Sequence, residues 1–461
     1  MMRTLLFLLP ILSLVNSEYL RPCYFSDWSH YRPSSGRYEP ESYIPGLCTH
    51  IFFAFGKLNY DCTVGARDPA DLPSGPQGGY FARVVKLKEK QPGLKIVLSL
   101  GGGSAGIATF KQIASTPANR RKFIDSAIKF ADKHGFDGID IDWEYPDAND
   151  KATFATLMKE LKTAAGHRVI TIAVTAKPAT IDAGYDVPSL AQSLDFVNVM
   201  TYDFHGGWEG KVNHHSPLHS RPDDSSNYNT AYALNYWAKK GMPKKKLLMG
   251  IGAYGRGWTL DNPQNKGIGA PGKTAPPQPF TQERGVAAYY EICSLGGQRF
   301  WEQYEKVPYV VSNGLWFGYD DPESIKVKME WIKQNGFGGA FIWTIDLDDF
   351  NGICNGGRKY PLLMSVKQYL GNSNPDILSE KTVKPQPFVP DNHSTTAKSD
   401  SPFICPNSDG HFADPKSCTS FYKCAHGNPF HMMCAPGTEF SEELQVCVFP
   451  YGCSREQVTK L

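Results

Sequence analysis

The segment FDGIDIDWEY, residues 136–145, places Asp140, Asp142 and Glu144 at intervals of two inside a short apolar run bounded by Pro146. On a strand this spacing puts all three carboxylates on one face, with Ile139, Ile141 and Trp143 on the other. Successive acids then stand about 6 to 7 Å apart in single file. Like charges so crowded destabilise a fold unless protons are shared or hydrogen bonds satisfy them. Nothing in folding asks for that arrangement, so the three acids mark a site whose chemistry is the sharing and transfer of protons.

The elements that must position them are eight apolar, β-rich runs: CYFSDW, THIFFAF, KIVLSLGG, GIDIDWEY, VITIAVTA, FVNVMTYD, KLLMGIGAYG and GGAFIWTID. Between most of them lie stretches with apolar residues at helical spacing, such as Phe81 to Lys90, Pro117 to His134, Lys151 to Ala165 and Ser324 to Asn335. Strands alternating with helices predict an α/β fold, a (β/α)8 TIM barrel, with a doubly wound open sheet as the alternative. In a barrel the active site lies at the carboxyl ends of the strands. Trp28, Glu144, Tyr202, Asp203, Arg256 and Trp343 each fall at or just beyond the end of a run. The stretch of about 258–316 is too long for a simple connection and reads as a small α+β insertion domain walling the cleft.

The chain has 461 residues, 41% hydrophobic and 20% charged, enough for a large core with something appended. A formal net charge of +2 gives no broad case for nucleic acid or an anionic membrane, and points to an uncharged substrate. Residues 1–17 read as a secretion signal: Arg3, an apolar stretch from Leu5 to Val15, then the small Ser17. That stretch is shorter than a bilayer span, although an uncleaved anchor is the competing reading. A secreted, extracellular protein with 11 cysteines is expected to form disulfides.

Residues 18–371 are read as the catalytic barrel and 372–401 as a linker rich in Pro, Ser and Thr with little to bury. The linker holds a glycosylation sequon at Asn392. Residues 402–461 carry Cys405, Cys418, Cys424, Cys434, Cys447 and Cys453, which suggest a small β-type module held by three bridges. Spacing alone permits 15 pairings of six cysteines.

With the acids, MTYDFHG, SLGG, GYDD and WTIDLDDF in the family's order, the sequence from about residue 20 to 369 resembles the family 18 chitinases, especially the secreted animal enzymes. Their DxxDxDxE pattern appears as Asp137, Asp140, Asp142 and Glu144. The resemblance implies hydrolysis of chitin and chitooligosaccharides with retained configuration, in which the substrate's own N-acetyl oxygen attacks the anomeric carbon. One proton donor then suffices, and Glu144 matches it. Asp142 would orient the acetamido N–H, Asp140 would share a proton with Asp142 and help raise Glu144, and Tyr202 would hold the acetamido oxygen. Asp137, of opposite strand parity, is structural. Met200, Asp203 and Arg256 match positions lining the central subsites, with barrel packing the competing reading for Met200 and neutralisation of an Asp that for Arg256. Trp343 would floor the bent sugar, Trp28 and Trp208 would extend the platform, and Tyr145 would border the cleaved bond.

The tail, with SFYKC and CVFPYGC, resembles the peritrophin-type chitin-binding module, in which Tyr422 and Phe449 would stack on sugar unless they only pack. The resemblance pairs Cys405 with Cys424, Cys418 with Cys453 and Cys434 with Cys447; in the barrel it pairs Cys23 with Cys48 and Cys293 with Cys354, leaving Cys62 free. Two departures stand out. Gly103 occupies a position where many relatives carry tryptophan, so a stacking platform on the non-reducing side is missing. The relatives' methionine before the floor tryptophan is matched by Phe341 or Ile342, depending on the count.

Neither a metal nor a cofactor is called for: His214 and His215 fit no zinc pattern, and Asp320, Asp321, Asp346 and Asp348 are read as caps of helices and loops. The expected form is a monomer that binds no nucleic acid or membrane. Two rivals share the barrel, a chitin-binding lectin and an endoglycosidase of N-glycan cores; the intact acid set opposes the first, and the tail and tryptophans the second.

Overall fold

The computed structural model describes residues 19–73, 78–354 and 357–371, and most of 403–448. The stretch read as a secretion signal, the stretch read as a linker with Asn392, and Phe449 lie outside the described residues. The chain divides into two compact units at Pro375.

In the larger unit eight parallel strands follow one another around a ring: β1 (Pro22–Ser26), β2 (His50–Leu58), β3 (Lys95–Gly101), β4 (Gly138–Asp142), β5 (Val169–Thr175), β6 (Phe196–Met200), β7 (Leu247–Gly252) and β8 (Gly339–Trp343). The last strand returns to the first, with Ile342 opposite Cys23, so the sheet is closed and the open doubly wound alternative is excluded. Alternation along the strands sorts residues into two cores. On β4, Ile139 and Ile141 join the large core between barrel and helices, while Asp140 and Asp142 are buried on the other face. The barrel interior holds Tyr24, Phe52, Ala54, Phe55, Val97, Phe196, Leu248 and Phe341. A bulge in β2 between Ala54 and Gly56 lets the consecutive residues Ala54 and Phe55 both reach that interior.

The helices Pro117–His134 and Lys151–Ala165 form with the predicted bounds. The first is delimited by local chemistry: the Thr116 side chain accepts from Asn119 N–H, Pro117 opens the first turn, and Gly135 ends it at φ 79°. The third, Pro322–Asn335, starts two residues before the predicted Ser324 because Asp321 caps it, accepting from the N–H groups of Glu323 and Ser324 at 3.0 Å. The stretch predicted from Phe81 to Lys90 divides into Tyr80–Val85 and Leu87–Lys90.

After β7 the chain enters an antiparallel six-stranded sheet that starts at Tyr254–Leu260 and ends at Leu315–Gly318, with one helix, Tyr289–Ser294. It is therefore wider than the 258–316 expected from sequence. Its first and last strands pair with each other, Arg256 opposite Gly318, and that long-range pairing sets the boundary. Trp258 and Trp316 meet edge to face in its own small core.

The smaller unit contains an antiparallel sheet of Gly410–Ala413, Ser420–Ala425 and Asn428–Met433 and a two-stranded ribbon of Glu439–Ser441 with Val446–Val448. Disulfides join Cys23 to Cys48, Cys293 to Cys354 and Cys405 to Cys424, and Cys62 is free and buried. The pairings of Cys418 with Cys453 and Cys434 with Cys447 fall outside the described residues.

Candidate active site

A cleft of about 760 Å³ opens at the carboxyl ends of the strands. Asp142, Glu144, Tyr145, Met200, Tyr202, Asp203, Arg256, Trp28 and Trp343 all line it. Asp140, one strand step deeper than Asp142, is fully buried and receives three hydroxyl donors from three different strands: Thr171 at 2.7 Å, Ser99 at 2.8 Å and Tyr24 at 2.8 Å. The Tyr24 hydroxyl in turn accepts from Asn198 Nδ2 at 3.1 Å. Burial pushes the Asp140 carboxyl up while those hydroxyls pull it back.

The barrel's hydroxyls take Asp140's oxygens. Asp142 Oδ1 is buried without a partner. Burial, and then the charges of Glu144 and Asp140, hold Asp142 well above the usual carboxylate range. Such an oxygen awaits a donor from outside the protein.

Glu144 lies two residues beyond β4 and is half-buried. Burial raises it first, Tyr145 draws it down, and the nearby charge of Asp203 raises it again. Asp203 is thus a source of the upward shift beside burial. Asp203 itself is held below the usual range despite burial, because Arg256 forks onto it. Arg256 Nε reaches Oδ1 and Nη2 reaches Oδ2, each at 2.7 Å, and the Tyr254 hydroxyl adds a third bond at 2.7 Å. Arg256 therefore both lines the cleft and neutralises an Asp. It is delivered by the insertion sheet rather than by a barrel strand, which the run KLLMGIGAYG conceals by continuing past the end of β7.

Trp343 ends β8, half-buried, backed by Phe55 at 5.8 Å (29° between planes) and by Tyr24 at 5.3 Å. Trp28 stands 6.3 Å from it. Trp208 is 62% exposed, with the guanidinium of the cleft-lining Arg256 5.3 Å from its ring centroid. Phe341 is the inward residue before Trp343, touching Tyr24 and Tyr202, whereas Ile342 belongs to the outer core. Gly101 (φ 125°) and Gly102 (φ 83°) end β3 where added Cβ atoms would strike the Asp142 carbonyl at 2.0 Å and Phe55 at 2.5 Å, so this turn requires glycine. Gly103, next in the chain, faces the cleft with its Cβ direction 3.5 Å from Glu144 Oε1, and nothing from this position shields the acid.

Asp137 stays outside the cleft, accepting from Lys88 Nζ and Ile96 N–H. His214 is committed to Glu305, and His215 lies against Asp203. Asp348 accepts from Leu363 N–H at 2.9 Å at the start of the helix Pro361–Leu370. In the smaller unit Tyr422 is half-buried and stacked on Phe403, with centroids 4.0 Å apart. Sequence reasoning missed Tyr24, Ser99, Thr171, Asn198 and Tyr254. Their positions inside runs were visible, but their convergence is made only by ring closure and by the insertion.

Residues 21–348 match the model of the glycosyl hydrolases family 18, and residues 405–454 that of the chitin binding peritrophin-A domain. The chain is 47% identical over 374 residues to a probable endochitinase of Caenorhabditis elegans, a match covering 77% of this chain and 61% of that relative, so the chain spans less than two thirds of it. It is 38% identical over 474 residues to an endochitinase of Brugia malayi, covering 93% and 94% of the two chains. A solved immunomodulatory active chitinase from Trichuris suis has a TM-score of 0.74 at 46% identity, covering 77% of this chain and all of that one.

Proposed function

The chain belongs to the glycosyl hydrolases of family 18, and from that premise we propose that it is a secreted chitinase, cleaving β-1,4 bonds between N-acetylglucosamine units with retained configuration. The observation that carries this reading is the file of carboxyls at the strand ends: satisfied Asp140, unpartnered Asp142 and half-buried Glu144, beside the Trp343 floor. Most retaining glycosidases need a second carboxylate as nucleophile; here the substrate's acetamido oxygen attacks the anomeric carbon as the glycosidic bond breaks. Glu144, whose carboxyl burial raises above its ordinary range, gives its proton to the leaving oxygen. The resulting carboxylate then takes a proton from water, which opens the cyclic oxazolinium intermediate from the opposite face.

Asp142 accepts the acetamido N–H on its unpartnered oxygen and carries the charge that faces the developing cation. Tyr202 donates to the acetamido oxygen, and Trp343 meets the apolar face of the sugar. Asp140 anchors the file from below as a positioning residue. Assays on chitin oligomers beside a high-mannose glycoprotein separate the readings: oligomer cleavage is expected, binding without turnover would mean a lectin, and glycan release without oligomer cleavage an endoglycosidase.

The role of Asp203 gives a pH prediction. Its negative charge raises Glu144, so Asp203→Asn, which also frees the Arg256 cation, favours the ionised glutamate. The alkaline limb of kcat/KM on soluble oligomers then moves to lower pH by roughly half a pH; an unmoved or higher limb opposes the assignment. The tail, in this reading, tethers the enzyme to solid polymer and adds effective concentration rather than chemistry. Deleting everything after Pro375 leaves soluble-oligomer hydrolysis intact and lowers adsorption to solid chitin about tenfold or more; equal adsorption would refute the tether. No described helix is long and apolar enough to cross a membrane.

A further inference from the structure

Arg67 follows the short strand Val64–Ala66, which pairs with the end of β2. Its guanidinium lies 5.5 Å from the centroid of the Trp28 ring, and its Nη2 donates to Ser104 Oγ at 3.3 Å. Trp28, Arg67, Gly103 and Ser104 all line the cleft. The cation thus spans two loops that bound one arm, where position 103 contributes no side chain and where the chitinase reading places the non-reducing end of the substrate. A sugar that reaches Trp28 meets the guanidinium at the same ring.

Among the described residues Arg67 forms no ion pair; its contacts are the indole and the serine hydroxyl. The Asp68 carboxylate is turned to the Ala70 N–H at 2.8 Å. Asp27 and Asp71 are buried nearby, and burial raises them to about 7 and about 8 against the pull of Arg67, so both are largely uncharged in mildly acidic solution.

We propose that Arg67 makes this arm of the cleft selective for uncharged sugar, admitting N-acetylglucosamine and repelling glucosamine units, whose amines are protonated in acid. The substrate it shapes is partly deacetylated chitin, and the inference rests on the chitinase reading above. Two unit charges roughly 6 Å apart in an open, hydrated cleft disfavour binding by about threefold to tenfold, and salt screens the effect.

The test is to digest partly deacetylated chitin with the full-length wild type, Arg67→Gln and Arg67→Lys, and to sequence the oligomer products by mass spectrometry. Glucosamine at the second and third units from the new reducing end is expected to be depleted about threefold to tenfold in the wild type and Arg67→Lys relative to Arg67→Gln. The gap should close in about 0.5 M salt. Equal glucosamine frequencies in wild type and Arg67→Gln at low salt overturn the proposal. Failure of the wild type to cleave fully acetylated hexamer, or products ending in glucosamine at the new reducing end itself, would count against the chitinase reading instead.

Discussion

Glu144→Gln is expected to lower turnover of soluble chitin oligomers by at least about 100-fold while oligomer binding persists, because a positioned general acid contributes at least that factor. Glutamine keeps the shape and the hydrogen-bonding capacity of the side chain beyond β4 but has no proton to give and cannot activate water afterwards. The floor and lining of the cleft, Trp343, Tyr202 and Asp203, come from other strands and stay in place. Initial-rate assays beside calorimetric binding of a hexamer separate the two effects. Retention of more than about one per cent of activity would falsify the assignment of the acid. Loss of binding in parallel with turnover would place Glu144 in substrate capture rather than in proton transfer.

Asp142→Asn is expected to reduce kcat by about 100-fold or more, since the asparagine presents no negative charge to the developing oxazolinium. The same substitution should leave the protein at least as stable as the wild type. Asp142 is buried, its Oδ1 bonds nothing, and burial with two like charges raises its pKa. The folded state therefore binds a proton more tightly than the unfolded chain, and stability falls as pH rises above the unfolded value of about 3.8. Asparagine removes that penalty, so the stability gain is absent near pH 3 and grows towards neutrality. Denaturant melts at both ends of that range check the sign. A variant less stable than wild type at neutral pH would show that the carboxylate is a structural element and not a group held at a cost for catalysis.

What was legible in the chain follows from how locally each feature is encoded. The alternation in GIDIDWEY is a property of one strand, and Asp140 and Asp142 face inward as it predicts, with Ile139 and Ile141 on the outer core. The bounds of Pro117–His134 are written by a cap, a proline and a glycine within the segment itself. The insertion sheet extends a few residues past each of the approximate bounds 258 and 316 because its limits depend on strands some 60 residues apart finding each other. The same holds for Asp140, whose three hydroxyl partners come from β1, β3 and β5. The neighbourhood of Trp208 is likewise set at long range: Arg256, from the insertion sheet, lies 5.3 Å from its ring centroid. Arg67 gave no signal at all, since its importance lies in what it stands next to and not in any motif around it.

In the proposed mechanism the sugar supplies its own nucleophile and one glutamic acid supplies the proton. Proton NMR of a hexamer digest, recorded within minutes of mixing and before mutarotation, reads the configuration of each newly formed reducing end. An initial excess of the β-anomer is the predicted result. An initial excess of the α-anomer, the mark of direct attack by water, would contradict it.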